Sequence, residues 1–376
     1  MLFYYMGYYW DQLDDRKRAM EYYSKASIKP YIYCFPFRSE SVTVLKDAMK
    51  LNPGDAMAPY YLGNLLYEHQ PDRAIELWEK SRELDPSFYI VHRNLGIAYK
   101  EIQKDNQKAM SSLEKAVENN PEDPRLLFEL DNMYELNKVS TGKKYELLNA
   151  NYTTAGKRSE TLLRLATRSV ESGAYGEAID ILENNHFPQF EGGREMQDTY
   201  LNAFTLRGMN YLNSGNFQDA ISDFTTALDY PVGRFGRSRW AQFNFLMGGT
   251  YDELGEKEKA EDYYRRAINT SVRERGSDQQ YMYYRGLALQ RMGDKKAAES
   301  IFNKMLENAT SESASDFFTQ FEGGRSMDYI KASDYYLAGL AHIGLGDPEK
   351  AKSEFNKALE LNPGHVWSRV QMNNIE

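Results

Sequence analysis

Residues 334–363 read DYYLAGLAHIGLGDPEKAKSEFNKALELNP, which is two amphipathic helical patterns on either side of a Gly-Asp turn. Gly339 and Ala351 are small at the points where the two predicted helices must approach closely. Phe355 continues the apolar stripe of the second helix, and Pro363 predicts its end. A single hairpin of this kind cannot bury its apolar face alone. The stretch therefore predicts a stack of similar hairpins.

The same register recurs along the chain. The small residue of the first helix is found at eight positions: Gly7, Gly63, Gly96, Ala166, Gly208, Gly248, Gly286 and Gly339. The small residue of the second helix follows, most often twelve positions later: Ala19, Ala74, Ala109, Ala178, Ala220, Ala260, Ala298 and Ala351. Four residues after each alanine stands a large apolar residue: Tyr23, Trp78, Leu113, Leu182, Phe224, Tyr264, Phe302 and Phe355. This spacing resembles the tetratricopeptide repeat, whose pattern combines a Gly in the first helix with A-x3-F in the second.

The resemblance covers nearly the whole chain and implies an all-α, right-handed superhelical α-solenoid. We expect about nine helical hairpins of this kind and one extra helix near residues 40–51. We expect two arrays, residues 1–155 and residues 156–376. The first carries an irregular insertion at residues 29–55 and a degenerate repeat at residues 122–155. The second has long loops between its repeats.

Composition excludes several classes of protein. Lys and Arg number 46 against 55 Asp and Glu, a net charge of −9, which disfavours a nucleic-acid partner. Cys34 is the only cysteine, so an intrachain disulfide is impossible. Neither a signal peptide nor an apolar run of membrane-spanning length is recognisable, so we expect no membrane insertion. We expect a cytoplasmic location, or a periplasmic one if the chain is part of a longer protein.

In a tetratricopeptide array the first helix of each repeat lines the concave face. Positions three before, two before and one after the glycine of the first helix are expected to be exposed there. They form an aromatic and amide-bearing groove: Tyr60, Tyr61, Asn64, Arg93, Asn94, Phe245, Tyr283, Tyr284 and Tyr336. Tyrosine supplies contact area at low entropic cost and asparagine can bond a peptide backbone, so the groove predicts a protein or peptide partner. A packed inner face without a ligand is the alternative.

Some tetratricopeptide domains clamp a chaperone's C-terminal carboxylate with basic side chains and asparagines. Asn64, Asn94 and Arg125 match that set by register, whereas Tyr60 and Glu129 stand where it needs Lys and Arg. A ligand carboxylate beside Glu129 would be repelled, so the pattern argues against this type of binding.

Two inter-repeat loops share a sequence, QFEGGREM at residues 189–196 and QFEGGRSM at residues 320–327. A third, at residues 233–239, is basic and contains two glycines. An Arg beside such a turn can hold a carboxylate or phosphate with its planar fork. The candidate loop residues are Glu191, Arg194, Arg234, Arg237, Glu322 and Arg325. Pairing of the Glu and Arg within each loop, in a simple packed turn, is the alternative.

Catalysis has little support in the sequence. The five histidines are scattered, and neither H-E-x-x-H, a phosphate-binding glycine loop nor G-x-S-x-G is present. We therefore predict a chain that is not an enzyme and binds no metal or cofactor.

Several phrases are also similar to the C-terminal region of large bacterial proteins that join an N-terminal β-rich domain, related to carbohydrate-active folds, to a tetratricopeptide array. The phrases are YCFPFR at residues 33–38, APYYLGNLLY at 58–67, WEKS at 78–81, RNLGIAY at 93–99 and FEGG at 190–193. This resemblance implies that the missing N-terminal domain of a longer chain is a possible partner.

The sequence thus predicts a non-enzymatic scaffold for protein–protein interaction. The alternative is an accessory module of a carbohydrate-related bacterial system that binds a glycan or a glycan-processing partner. A spacer without a ligand is a third hypothesis.

Overall fold

The computed structural model describes residues 1–188, 194–231, 237–274, 276–310 and 327–375. Within these ranges the regular structure is helical and contains no strand. The chain divides into two compact units. Unit 1 comprises Met1–Asn137 and Ala150–Thr161, and unit 2 comprises Lys138–Asn149 and Leu162–Glu376.

Unit 1 is built from helical hairpins and the lone helix that the sequence predicts. Its helices are α1 (Leu2–Gln12), α2 (Arg16–Ser27), α3 (Ser41–Leu51), α4 (Met57–Leu66), α5 (Pro71–Leu84), α6 (Tyr89–Ala98), α7 (Asn106–Asn119), α8 (Pro124–Leu136) and the short α10 (Tyr152–Ala155). A π-helical turn, Tyr99–Gln103, extends α6. Helices α1 and α2, α4 and α5, and α6 and α7 pack as pairs, and each pair packs on its neighbour along the chain.

Unit 2 repeats the same arrangement with longer helices. Its helices are α9 (Thr141–Asn149), most of α11 (Ser159–Glu171), α12 (Tyr175–Asn184), α13 (Glu195–Asn213), α14 (Phe217–Asp229), α15 (Trp240–Glu253), α16 (Lys257–Asn269), α17 (Gln280–Arg291), α18 (Lys295–Thr310), α19 (Met327–Gly344), α20 (Pro348–Leu361) and α21 (Val366–Ile375). Turns of 3₁₀ helix, Arg237–Arg239 and Gly276–Gln279, precede α15 and α17. The first helix α17 contacts both α15 and α19, so these three first helices form one face of the unit.

The helix boundaries follow from local sequence. Asp15, Asp105 and Asp347 each precede a second helix, and each side chain accepts a hydrogen bond from a backbone N–H of the first turn, at 3.0, 3.0 and 3.2 Å. Pro71 and Pro348 occupy the first turn of α5 and α20, where no intrahelical N–H bond is lost.

Seven of the eight predicted pairs of a small and a large residue are shown to be contacts between the helices of one hairpin. In seven hairpins the glycine of the first helix lies against the large side chain of the second: Gly7–Tyr23, Gly63–Trp78, Gly96–Leu113, Gly208–Phe224, Gly248–Tyr264, Gly286–Phe302 and Gly339–Phe355. A Cβ added at Gly208 would lie only 2.6 Å from Cε1 of Phe224. The aromatic ring takes the space that a side chain would occupy, which is why these positions are glycine.

Candidate partner-binding surfaces

The inner surface of unit 1 is formed by the first helices α4, α6 and α8. Asn94 on α6 donates from Nδ2 to Oδ1 of Asn64 on α4 at 3.1 Å. Trp78 of α5 donates its indole N–H to the same oxygen at 3.1 Å. Both asparagines are partly exposed. The two amides are thus held in a fixed orientation while part of their hydrogen-bonding capacity still faces outward.

A charged cluster continues this surface. The Arg93 guanidinium on α6 binds Glu129 on α8 through two hydrogen bonds of 2.7 and 2.6 Å. Arg125, one turn before Glu129, adds a third at 2.9 Å. The Arg93 and Glu129 side chains are 13% and 20% exposed, whereas Arg125 is 59% exposed. The two guanidiniums outweigh the single carboxylate, so the cluster carries a net positive charge.

Residues 30–39, here called the aromatic strap, join α2 to α3 and contact this surface. Tyr31 packs edge-on against Tyr60, Phe88 and Tyr89, with ring centroids 6.1, 5.0 and 6.3 Å apart. Burial raises the pKa of Tyr31 well above its ordinary value, and the hydrogen bond to Tyr89 raises it further. Tyr31 therefore anchors the strap on α4 and α6.

Four other apolar side chains of the strap point away from the protein. Tyr33 is 91% exposed, Phe37 81%, Phe35 72% and Ile32 61%. Scattered exposed apolar side chains are normal on a protein surface, but four within six residues form a continuous apolar segment. This segment lies directly beside the anchored Tyr31.

Two predicted groove tyrosines of unit 1 are buried, so the expectation that they are exposed is wrong. Tyr60 is 5% exposed and Tyr61 is 3% exposed. Tyr31 of the strap and Phe88 cover Tyr60, and Tyr4 of α1 packs edge-on against Tyr61 at 6.0 Å. Tyr31 comes from the strap, which lies outside the repeat register, whereas Tyr4 stands three residues before Gly7, as Tyr60 stands three before Gly63.

The predicted groove tyrosines of unit 2 are buried as well, which again corrects the expectation of exposure. Tyr283, Tyr284 and Tyr336 are 5%, 4% and 4% exposed. They belong to one apolar cluster, on which Trp367 and other residues of α21 pack. Helix α21 thus covers part of the inner face that α15, α17 and α19 form.

Polar contacts with α9, α11 and α13 hold helix α21 in this position. Trp367 donates its indole N–H to Asn202 of α13 at 3.1 Å. Arg369 donates to the backbone carbonyl of Glu171 and, at 3.1 Å, to the Thr141 hydroxyl. The repeats predicted from the sequence end at Pro363 and do not include this helix. The signal was the apolar spacing of Val366, Trp367 and Val370.

Of the six candidate loop residues, the structure describes Arg194 and Arg237. Both are exposed, and Arg237 lies over the ring of Trp240 at 5.2 Å. Glu191, Arg234, Glu322 and Arg325 lie outside the described residues. A binding role for these loops stays a prediction.

Arg239, two residues after Arg237, was not among the predicted site residues. It is buried in unit 2, with 4% of its surface exposed. Its guanidinium donates to Asn202 at 2.7 Å and to Gln242 at 3.2 Å. It also lies 5.4 Å from the Phe243 ring and 5.8 Å from the Trp367 ring. Position within the basic loop did not reveal which arginine turns inward.

The described part of the chain shows neither a membrane span nor a metal site. None of its helices is long and apolar enough to cross a membrane. None of its His, Cys, Asp and Glu side chains form a group of three that could hold a metal ion.

The architecture defines an α-solenoid protein made of stacked helical hairpins. Family models described as tetratricopeptide repeat match residues 64–124, 205–273, 280–309 and 332–365. These ranges cover just over half of the chain, which therefore belongs to the tetratricopeptide repeat family. The predicted all-α solenoid class is confirmed.

Two solved structures match this chain at low similarity. The crystal structure of YrrB, described as a TPR protein with an unusual peptide-binding site, is 19% identical with a TM-score of 0.35, over 49% of this chain and 91% of that one. The structure of Naa15/Naa10 bound to HypK-THB is 13% identical with a TM-score of 0.43, over 90% of this chain and 63% of that one.

Proposed function

We propose that this protein is a protein-interaction scaffold and that the inner surface of unit 1 binds a peptide segment of a partner protein. The observation that carries the proposal is the fixed amide pair Asn64–Asn94 beside the apolar strap. Asparagine amides offer both a donor and an acceptor, which is what an extended peptide backbone needs. The first helices of neighbouring hairpins place these groups side by side.

The surface also indicates what kind of peptide fits. Tyr33, Phe35 and Phe37 are exposed apolar side chains and would bury area against an aromatic or aliphatic residue of the ligand. Arg125 is more than half exposed and belongs to a cluster with net positive charge. A peptide with a large apolar residue and an acidic residue therefore matches the strap and the charged cluster together.

Selection from a random peptide library displayed on phage, followed by fluorescence polarisation with the selected peptide, tests the proposal. Truncation of a fixed amide in a peptide interface costs about 1–2 kcal/mol, so Asn94→Ala should weaken binding by roughly 5- to 30-fold. Tyr33→Ser should weaken it by a similar factor because apolar area is lost. Circular dichroism of each variant checks that the helices are retained.

Matched controls use residues of the same type elsewhere on the chain. Asn303 is exposed on α18 and Tyr9 is 61% exposed on α1. Asn303→Ala and Tyr9→Ser should leave the affinity unchanged. If Asn94→Ala and Tyr33→Ser bind the selected peptide as tightly as the wild type does, the inner surface of unit 1 is not the binding site.

A glycan ligand is the second candidate, because exposed aromatic rings such as Tyr33 and Phe37 can also stack on sugars. A glycan array separates the two functions. Retention of a defined glycan that Tyr33→Ser abolishes, together with failure to select any peptide, would favour the carbohydrate-related function.

A further inference from the structure

Arg239 is a buried cation whose hydrogen-bond partners are all neutral. Its Nη2 donates to Asn202 Oδ1 at 2.7 Å and Thr205 Oγ1 at 3.4 Å, and its Nε donates to Gln242 Oε1 at 3.2 Å. No carboxylate of the described residues forms an ion pair with it. A charge that is 4% exposed without a counter-ion is costly to keep in a folded protein.

The Arg239 guanidinium also has unused donors. Nη1 makes no hydrogen bond to any residue within the described ranges. The rings of Phe243 and Trp367 lie near the guanidinium at 5.4 and 5.8 Å, and such contacts stabilise a cation without using its N–H groups. The guanidinium is thus held in place while one of its nitrogen atoms remains available.

Three tyrosines lie close enough for the charge of Arg239 to act on their hydroxyls: Tyr281, Tyr284 and Tyr336. Tyr284 accepts a hydrogen bond from Gln242 at 2.9 Å, which leaves its own proton free to be donated. The hydroxyls of Tyr281 and Tyr336 form no hydrogen bond with the part of the chain that the structure describes. Burial raises the pKa of Tyr281 to about 12, and the charge of Arg239 lowers it, so the two groups lie within electrostatic reach. The same holds for Tyr336, whose pKa burial raises well above its ordinary value.

The inner face is not sealed around these groups. Tyr281, His365 and Trp367 all remain partly exposed. The His365 ring lies 4.8 Å from the Tyr336 ring. Its Nδ1 accepts from the backbone N–H of Ser368 at 3.2 Å, so the neutral imidazole carries its proton on Nε2 and adds another donor. Donors are therefore in excess, which is the character of a site for an anion.

We propose that the inner face of unit 2 binds a small organic carboxylate, with Arg239 as the anion-binding group and the hydroxyls of Tyr281, Tyr284 and Tyr336 as additional donors. A guanidinium matches a carboxylate with two parallel hydrogen bonds. The ring of Trp367, which is partly exposed, is the surface that would contact an apolar body of the ligand. This site is independent of the peptide surface proposed on unit 1.

A singly charged ligand fits better than a phosphate. The charges that act on the neighbouring Tyr281 include those of the cations Arg239 and Arg194 and of the carboxylates Asp198 and Asp278. The two acids offset the positive potential of the two arginines. A doubly charged phosphate would therefore leave a larger excess of negative charge at this place than a singly charged carboxylate does.

Ligand-observed NMR titration of the full-length protein with benzoate tests the proposal at constant ionic strength. Benzyl alcohol serves as the uncharged probe of similar shape and inorganic phosphate as the second anion. We expect millimolar or tighter binding of benzoate that neither of the other probes displaces. N-acetylphenylalanine carries its carboxylate as the C-terminus of a peptide does, so it distinguishes two sources of the natural carboxylate. Tighter binding than benzoate indicates the C-terminus of a polypeptide, and weaker binding indicates a free organic acid.

Two substitutions test ligand binding while leaving Arg239, and any structural role that it has, unchanged. Tyr281→Phe and Tyr336→Phe remove hydroxyls that hold nothing in the described structure, so the fold should be unaffected. Each should weaken benzoate binding by about tenfold, since a hydrogen bond to a charged group is lost. Tyr251→Phe, on the same unit but outside the site, should leave it unchanged. Absence of benzoate binding, displacement by phosphate or benzyl alcohol, or wild-type affinity in both variants would overturn the proposal.

Discussion

The contact between Gly248 and Tyr264 gives the sharpest test of the hairpin packing. Adding a methyl group at Gly248 places a Cβ 2.6 Å from Cε1 and 2.7 Å from Cδ1 of the Tyr264 ring. The ring cannot move away easily, because its hydroxyl donates to Asp252 at 2.6 Å and Phe245 packs on it. Gly249 is the matched control, since the nearest atom to its added Cβ is 4.0 Å away.

The magnitude follows from two opposing effects. Alanine is more favourable than glycine inside a helix by about 1 kcal/mol, and this gain applies to both positions. Overpacking in a close contact costs about 1–3 kcal/mol, and the short distances at Gly248 place it at the upper end. Gly248→Ala should therefore lower the free energy of unfolding by about 1–2 kcal/mol, whereas Gly249→Ala should raise it by about 0.5–1 kcal/mol.

Urea unfolding followed by far-UV circular dichroism measures the difference between these variants. The double variant Gly248→Ala with Tyr264→Leu should recover part of the loss, because the smaller side chain makes room for the methyl group. If Gly248→Ala is as stable as Gly249→Ala, the glycines of the first helices are not required by the aromatic rings of the second helices. The packing argument would then be refuted.

Three further predictions concern other parts of the chain. Burial and the charge of Arg369 lower the pKa of His365 from 6.5 to about 4. The unfolded chain therefore binds a proton at His365 before the folded protein does, so the free energy of unfolding should fall by up to roughly 3 kcal/mol as the pH decreases from 6.5 towards 4. His365→Gln should flatten this pH dependence in thermal unfolding. Tyr31→Ala should release the strap from the protein surface and so raise the rate at which chymotrypsin cleaves residues 30–39. Tyr33 is exposed and does not anchor the strap, so Tyr33→Ala should not raise this rate. Glu129→Gln should raise the positive charge of the unit 1 surface and tighten binding of an acidic peptide several-fold at low salt, as fluorescence polarisation can show.

The hairpins could be predicted because their determinants are local. Gly248 and Tyr264 lie within one hairpin, so helical spacing alone brings them together. The burial of Tyr60 and Tyr336 could not be predicted from helical spacing. Their positions on first helices are as predicted, but their burial depends on covering segments that follow no repeat. Residues 30–39 cover the first and α21 covers the second.

Arg239 illustrates a further limit of the sequence. The basic stretch that contains it was recognised, yet the choice between Arg237 and Arg239 depends on which side chain faces inward at the start of α15. That direction is fixed by Asn202, which is distant in sequence. Periodicity carries no information about such a contact.

Amide hydrogen exchange of the full-length protein with and without the selected peptide shows which helices the peptide covers. We expect the peptide to slow exchange in the first helices α4, α6 and α8 and in residues 30–39, and to leave exchange in the second helices α5 and α7 unchanged. Protection confined to α5 and α7, or spread evenly over the chain, would contradict the claim that the inner surface of unit 1 is where partners bind.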